Sequence, residues 1–338
     1  MKRYLITGGA GFIGCNFVKY LFKNYLDISV TVLDKLTYSG NKDNLAEFEG
    51  KANYKFVQAD IADTSTAKRL VSEADIVVNF AAETHVDRSI LGSEDLIRSN
   101  IYGVNVLLNA TRESGVECFL QISTDEVYGS VEEGSSVEAD NLSPRNPYSA
   151  SKAGADHLAY AFFNTYGLPV KITRSSNNYG PFQYPEKLIP FFLTNALEDK
   201  PLPLYGDGLN VRDWLYVEDN CAGIAAVINK GTAGEIYNIG GGNEIANIEI
   251  TRSVLALLGK PETLITYVKD RPGHDRRYSL NSAKLMKLGW KPQADFTASL
   301  EKTVKWYLDN RSWWEAIKRK NKEYKEFMDK YYKDRQGG

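Results

Sequence analysis

The chain has 338 residues, a formal net charge of −2, 43% apolar residues and 25% charged residues. That length allows one large or two modest domains with a buried core, in the composition range of ordinary globular proteins. The near-neutral balance excludes a general attraction to nucleic acid or to an anionic membrane, and no apolar run is long enough to span a bilayer.

Three widely spaced cysteines (Cys15, Cys118, Cys221) suggest neither a disulfide framework nor a zinc site. Three histidines (His85, His157, His274) show no metal-ligand spacing, so no metal is expected. The chain opens directly on a strand-like run, Lys2-Arg3-Tyr4-Leu5-Ile6, which leaves no room for a signal peptide. A reducing, cytoplasmic location is expected.

Strands are predicted at 3–7, 29–34, 54–59, 75–80, 117–123 and 169–174, with helices between them near 12–24, 64–73, 100–114 and 150–166. This alternation implies an α/β fold: a Rossmann-type, doubly wound parallel sheet with helices on both faces. After about residue 175 the pattern loosens. Tyr179-Gly180-Pro181 and Leu204-Tyr205-Gly206-Asp207-Gly208 read as loops, and helices return near 186–198, 249–258 and 297–309. The expected division is a dinucleotide-binding domain over 1–175, with returning segments near 211–240, and a smaller, partly interleaved substrate lobe over 176–338. The stretch 311–335 mixes Trp313, Trp314, Tyr324, Phe327, Tyr331 and Tyr332 with basic residues. It reads as an amphipathic helix packed on the domain edge in preference to an interaction tail.

Between the first strand and the first helix lies Thr7-Gly8-Gly9-Ala10-Gly11-Phe12-Ile13-Gly14. Gly8, Gly11 and Gly14 allow a tight turn, close approach of a pyrophosphate and close helix–sheet packing, and the helix N-terminus offers free N–H groups to phosphates. Asp34 follows about twenty positions later at the end of the second strand, where a carboxylate accepts from the ribose hydroxyls and repels a 2′-phosphate. NAD is therefore the expected cofactor. Asp60-Ile61 ends the third strand, within reach of an adenine amino group, and Ala81-Ala82 supplies small residues where a cofactor passes close to backbone.

Tyr148 and Lys152 are four apart and share a helix face. A free tyrosine titrates near ~10; a nearby ammonium is expected to lower that value and make the phenol a base for alcohol oxidation. Tyr38 and Lys42 repeat the spacing in a loop after Asp34, so context selects Tyr148. Thr124 is the expected partner for the reacting hydroxyl. Asp125 and Glu126 follow at once, and side chains one residue apart cooperate only in a turn beyond the strand end. Two carboxylates on one substrate tend not to ionise together, so one remains an acid while the other serves as base.

The glycine loop, Asp34, Thr124 and the Tyr148/Lys152 pair resemble the extended short-chain dehydrogenase/reductase superfamily. Within it, Thr124-Asp125-Glu126-Val127-Tyr128-Gly129, His85-Val86-Asp87-Arg88-Ser89-Ile90, Ser176-Asn177-Asn178-Tyr179-Gly180-Pro181, Arg212-Asp213-Trp214 and Asp270-Arg271-Pro272-Gly273-His274 resemble the dTDP-glucose 4,6-dehydratase family. The resemblance implies that Tyr148 takes the 4-hydroxyl proton while NAD takes hydride from C4. Glu126 then removes the C5 proton, Asp125 protonates the departing 6-hydroxyl, and hydride returns to C6. It also implies Phe12, Ile13, Lys35, Thr37, Ser99 and Asn178 at the cofactor. At the nucleotide-sugar substrate it implies Thr84, His85, Asn177, Lys187, Leu188, Pro203, Tyr205, Arg212, Asn247, Arg271 and His274. A homodimer through the helices near 100–114 and 150–166, and a place in deoxysugar synthesis, often rhamnose, are likewise implied. The alternatives are a 4,6-dehydratase of UDP-glucose, a UDP-sugar 4-epimerase or decarboxylase, which lacks the Asp-Glu pair, and an NAD-sensing regulator.

Overall fold

Short apolar runs buried on both faces, such as β4 and β5, build the centre of the molecule. The structure, a computed structural model, describes residues 1–320 and Tyr324. The first part runs β1 (Lys2–Thr7), α1 (Phe12–Asn24), β2 (Ile28–Asp34), β3 (Tyr54–Gln58), α2 (Thr64–Ser72) and β4 (Ile76–Asn79). Then come α3 (Val86–Leu91), α4 (Glu94–Leu96), a π-helical stretch (Ile97–Gly103), α5 (Val104–Arg112), β5 (Cys118–Thr124), α6 (Pro147–Tyr166) and β6 (Val170–Ser175). The chain continues through β7 (Asn177–Tyr179), α7 (Leu188–Leu197), β8 (Leu202–Tyr205), β9 (Val211–Tyr216), α8 (Val217–Lys230) and β10 (Ile236–Ile239). It closes with β11 (Glu244–Ala246), α9 (Asn247–Leu258), β12 (Ile265–Val268), α10 (Ala283–Met286), α11 (Phe296–Asp309) and α12 (Arg311–Lys320).

The main sheet has the order β10-β6-β5-β4-β1-β2-β3, with every neighbouring pair parallel. Strand alternation explains its apolar runs. Tyr4 and Ile6 of β1, Ile76 and Val78 of β4, and Leu120 of β5 face a core with α1 and α8. Leu5, Val77 and Phe119 face the opposite core with α2, α5 and α6. The strand order reverses between β1 and β4, so the ligand crevice opens beyond their carboxyl ends. A buried amide ladder ties those ends together. Thr7 Oγ1 donates to Asn79 Oδ1 at 2.5 Å, and Asn79 Nδ2 donates to Gln121 Oε1 at 2.8 Å.

The smaller sheets, β11-β9-β7 and β12-β8, sit in the later part of the chain. Around them pack Tyr179, Trp214, Ile250, Leu300 and Trp314, and separately Phe191, Phe192, Leu202 and Leu204. Three sequence expectations need correction here. Tyr179 and Leu204-Tyr205 lie on strands β7 and β8, not in loops, because each finds a pairing partner remote in sequence. No helix was expected over 217–230, yet Val217, Cys221, Ile224, Ala225 and Ile228 carry helical spacing and pack against the main sheet. The seventh strand, β10, pairs with β6 and was not foreseen individually.

Trp314 is fully buried and donates its indole N–H to the Tyr307 carbonyl at 2.9 Å. Lys318 Nζ bridges to Glu198 of α7 at 2.6 Å. α12 is thus a packed edge helix; Phe327, Tyr331 and Tyr332 lie outside the described residues.

Gly14 sets how closely α1 meets the glycine loop. A Cβ there would lie 2.3 Å from the Gly8 carbonyl oxygen and 2.8 Å from Gly9 Cα, whereas Gly115 has nothing within 4 Å. Gly14→Ala should therefore cost about 1–3 kcal/mol of unfolding free energy. Gly115→Ala should be neutral or gain up to about 1 kcal/mol. Chemical denaturation of both variants checks this; equal effects would contradict the packing argument.

Candidate active site

The cofactor half is built from backbone first. Gly8 has φ 66°, and a Cβ on it would meet Ala81 N at 2.5 Å, so the loop touches the end of β4. α1 begins at Gly11 without a side-chain cap, which leaves its first N–H groups open toward the crevice. Asp34 Oδ2 accepts from the Ala10 N–H at 2.9 Å and Oδ1 from the Leu36 N–H at 2.8 Å, while burial pushes its carboxyl up. One cavity is lined by Gly8, Gly11, Phe12, Ile13, Gly14, Asp34, Lys35, Thr37, Asp60, Ile61, Ala81, Ala82, Ser99 and Asn178. Thr84, Thr124, Asp125, Glu126, Tyr148 and Lys152 line the same cavity. Lys35 Nζ pairs with Asp60 Oδ2 at 3.0 Å. Burial opposes ionisation of Asp60, but the Ala62 N–H and Lys35 together hold its carboxyl below the usual range.

These residues fit NAD. The glycine loop leaves room where a side chain would collide, and an acidic residue closes the ribose end. Ser123 Oγ and Asn178 Oδ1 are buried on the cavity without a hydrogen-bond partner among the described residues.

The reacting end lies in a 3-10 turn, Asp125–Tyr128, directly after β5. Thr124 Oγ1 accepts from the Glu126 N–H at 3.3 Å and donates to Asp125 Oδ1 at 3.1 Å. Asp125 Oδ2 is buried and without a hydrogen-bond partner. Burial, with Glu126 and Asp213 beside it, raises the Asp125 carboxyl well above its ordinary value, so it favours the protonated form. Asn146 Nδ2 reaches Glu126 Oε2 at 3.4 Å from the cap of α6.

The tyrosine behaves differently from the sequence expectation. Burial raises the Tyr148 phenol, Glu126 and Asp125 add to the rise, and a hydrogen bond with Thr124 opposes it. Burial and the two carboxylates outweigh the neighbouring lysine, whose Nζ donates to the Ile122 carbonyl at 2.6 Å. Burial lowers Lys152 itself to about 8, against the pull of Asp156. The second tyrosine–lysine copy is dispersed: Lys42 pairs with Glu49 on the surface at 2.7 Å, while the Arg88 guanidinium lies 4.0 Å over the Tyr38 ring.

A second cavity adjoins the first and shares Glu126, Asn177, Asn178 and Lys187 with it. His85, Leu188, Pro203, Tyr205, Arg212, Asn247, Arg271 and His274 all line it. The Arg212 guanidinium is buried 4.2 Å over the Tyr278 ring and donates only to the carbonyls of Val211 and Asp275. It makes no ion pair among the described residues, and burial lowers its affinity for a proton. Lys187 Nζ donates to the Thr84 carbonyl at 2.8 Å, and α7 starts at Leu188 without a side-chain cap. A buried and a partly buried cation beside an open helix N-terminus make a site for an anion. Asn177 Oδ1 and Asn247 Oδ1 are buried there and unpartnered. Arg271 pairs with Asp87 at 3.3 Å, and Tyr205 donates to the same carboxylate at 3.1 Å.

His85 serves α3 as its cap, accepting from the Arg88 N–H at 3.3 Å, and burial lowers its ring. The His274 ring meets Asp270 at 2.6 Å and is lowered to about 4, by burial first and then by Arg271 and Arg212. Sequence reasoning missed Glu186, which lines both cavities beside Arg88, and Gln183, whose Nε2 donates to the Asn178 carbonyl at 2.9 Å. It also missed Asn100, which bonds both backbone groups of Glu83 and the Ser151 hydroxyl, and so joins the end of β4 to α6. No motif signals these three. Asp87 lies inside the quoted His85–Ile90 motif and could have been found there.

Such a sheet, with a dinucleotide loop at its switch point and an acid–base turn beside a tyrosine and a lysine, defines a Rossmann-fold enzyme of the short-chain dehydrogenase/reductase class. Residues 5–303 match the family model described as GDP-mannose 4,6 dehydratase, and the chain belongs to that family. It is 52% identical over 304 residues to the low-salt glycan biosynthesis protein Agl12 of Haloferax volcanii, covering 90% of this chain and 98% of that one. It is 49% identical over 320 residues to a dTDP-glucose 4,6-dehydratase of Actinoplanes sp., covering 92% and 99%. The crystal structure of the Streptomyces venezuelae dTDP-glucose 4,6-dehydratase, solved with NAD bound, superposes with a TM-score of 0.91 at 49% identity, covering 93% and 99%.

Lys152 supplies a pH test. Its amine is lowered from 10.5 to about 8, so the ammonium present below that pH is lost as pH rises through it. In NAD-free protein the 15N resonance of Lys152 Nζ should titrate near 8. Titration at the ordinary lysine value would show that the site is wetter than its burial indicates.

Proposed function

We propose that this chain is an NAD-dependent nucleotide-sugar 4,6-dehydratase that converts dTDP-glucose to dTDP-4-keto-6-deoxyglucose and water. Asp125 carries the reading. It is a buried carboxyl held toward its protonated form, with one oxygen unpartnered, next to Glu126 in the cavity that Tyr148 lines. Epimerisation at C4 has no use for a proton donor beside a second carboxylate, whereas elimination of water needs both.

When bound, NAD supplies the acceptor that takes hydride from C4 of the sugar and gives it back at C6. Residues Gly8 to Gly14, Asp34 and Asp60 hold it, with Lys35, Thr37, Ala81, Ala82, Ser99 and Asn178 around it. Tyr148 must enter the cycle as its phenolate, against the field that favours its proton; it then takes the proton of the 4-hydroxyl, oriented by Thr124. The C4 ketone acidifies the C5 hydrogen; Glu126 removes it as Asp125 protonates the departing 6-hydroxyl, and Glu126 later returns a proton to C5. Tyr148 then holds one proton too many and Asp125 one too few. Thr124 donates to Asp125 at 3.1 Å and acts on the Tyr148 phenol from the same wall, so its hydroxyl can relay the proton back and reset the site. Arg212, Lys187 and the start of α7 receive the diphosphate, with Pro203, Tyr205 and Asn247 at the base.

On this reading residues 1–175 with β10 hold the cofactor, and most of 176–338 holds the nucleotide sugar. The half-exposed Ile97, Tyr102, Tyr160 and Tyr166 beside α5 and on α6 support a homodimer through these helices; light scattering should give twice 37.9 kDa, and a monomer would refute it. The three cysteines are all free and buried, which suits a reducing, cytoplasmic setting. Among the described residues no helix is long and apolar enough to cross a membrane.

Asp125→Asn should lower dehydration of dTDP-glucose about 10²–10⁴-fold. C4 oxidation should persist, visible as absorbance of reduced nicotinamide, and mass spectrometry should detect little loss of water. Wild-type dehydration by this variant would sink the acid assignment. Equal turnover of UDP-glucose by the parent protein would broaden the substrate and leave the chemistry standing.

A further inference from the structure

α12 lies beyond the 5–303 family match, yet it is tied to the cofactor half of the cleft. Trp313 donates its indole N–H to Asn44 Oδ1 at 2.8 Å. Asn44, only 2% exposed, donates through Nδ2 to the Ala10 carbonyl at 2.9 Å. The Ala10 N–H goes to Asp34 Oδ2 at 2.9 Å. The residue between the loop glycines is therefore held on one side by the ribose carboxylate and on the other, through Asn44, by the C-terminal helix. The loop's own backbone holds it through Gly11 N–H to the Gly8 carbonyl and Gly8 N–H to the Leu33 carbonyl, and the Ala10 carbonyl takes a second donor in the Asn41 N–H at 3.1 Å; the Asn44 amide adds the link that reaches the C-terminal helix.

The same indole faces the other wall of the cleft. Trp313 meets Phe182 edge-on at 6.2 Å, and Trp306 packs on Phe182 at 4.6 Å. Phe182 has φ 67°, a conformation a bulky residue keeps only when its surroundings hold it. It opens the segment 182–187, from which Gln183, Tyr184, Glu186 and Lys187 line the cofactor cavity. Further along, Tyr324 donates to the Pro185 carbonyl at 3.1 Å and its ring meets Tyr184 at 6.0 Å.

We propose that Trp313 is a positioning residue for NAD, and that the C-terminal helix is a clasp fixing the glycine loop and the 182–187 segment against each other around the cofactor. Trp313 touches neither NAD nor substrate. It acts through Asn44 and Phe182, so its loss should appear in how long the cofactor stays and not in how the sugar binds.

Trp313→Phe keeps an aromatic ring against Phe182 and removes the donor to Asn44. Exchange of bound NAD for 14C-labelled NAD in the holoenzyme should become about three- to tenfold faster, the size expected for one lost neutral hydrogen bond. The KM for dTDP-glucose should stay at its wild-type value, and the melting temperature should fall further in saturating NAD than in NAD-free protein, because the weaker hold on NAD takes stability with it. Asn44→Ala removes both legs of the link and should exchange at least as fast, and adding Trp313→Phe to it should change nothing more. Wild-type exchange in Trp313→Phe would overturn the clasp. So would faster exchange with an equal fall in melting temperature with and without NAD, which would make Trp313 an ordinary packing residue. The proposal rests on the glycine loop holding NAD: a parent protein with no exchangeable NAD would sink that reading itself, whereas normal exchange in both proteins would sink only the clasp.

Discussion

Two carboxylates in one desolvated turn cannot both carry charge, and the arrangement of this cleft follows from that constraint. Asp125 is buried against Glu126 and Asp213, and its proton is retained because ionising it would place like charges together in a poorly screened space. β5 delivers the pair. Its seven residues are buried throughout, and the 3-10 turn after Thr124 turns both side chains toward the crevice instead of to opposite faces of the sheet. A carboxyl that favours its proton is thereby kept next to a second carboxylate.

The same constraint reaches Tyr148. Its phenol faces the two carboxylates, and their field together with burial holds its proton more firmly than water would. The lysine one turn away is spent on the backbone of β5. A positively charged cofactor is then the natural counterweight in this cavity, and the second cavity answers with its own: Arg212, buried, and Lys187, partly buried, have no carboxylate ion pair among the described residues, and a diphosphate would balance them. Acidic and cationic groups meet in the wall the two cavities share, at Glu126, Asn177 and Lys187.

Much of this was legible in the residues. Most of the strands β1 to β6 were readable because they carry apolar runs buried on both faces, the half-buried edge strand β3 being the exception, and the glycine loop with Asp34 because its spacing has few other uses. Every residue assigned to cofactor or substrate lines one of the two cavities, although their roles stay with the proposal. What stayed hidden depends on partners distant in sequence. β7 and β8 become strands only by pairing with β9 and β12. Glu186 and Asn100 acquire a place only when their segments are folded against α3, β4 and α6. The Tyr148 shift could not be foreseen because spacing gives the proximity of Lys152 but not the burial and the carboxylate field that outweigh it.

The central claim is that one bound cofactor oxidises C4 and reduces C6 of the same sugar within a single closed cycle. The direct test is turnover of dTDP-glucose carrying deuterium at C4, in ordinary water, with the product read by mass spectrometry and NMR. The account predicts that the deuterium is retained and found at C6, while the hydrogen at C5 comes from solvent. Product lacking the label, or carrying it anywhere other than C6, would contradict it.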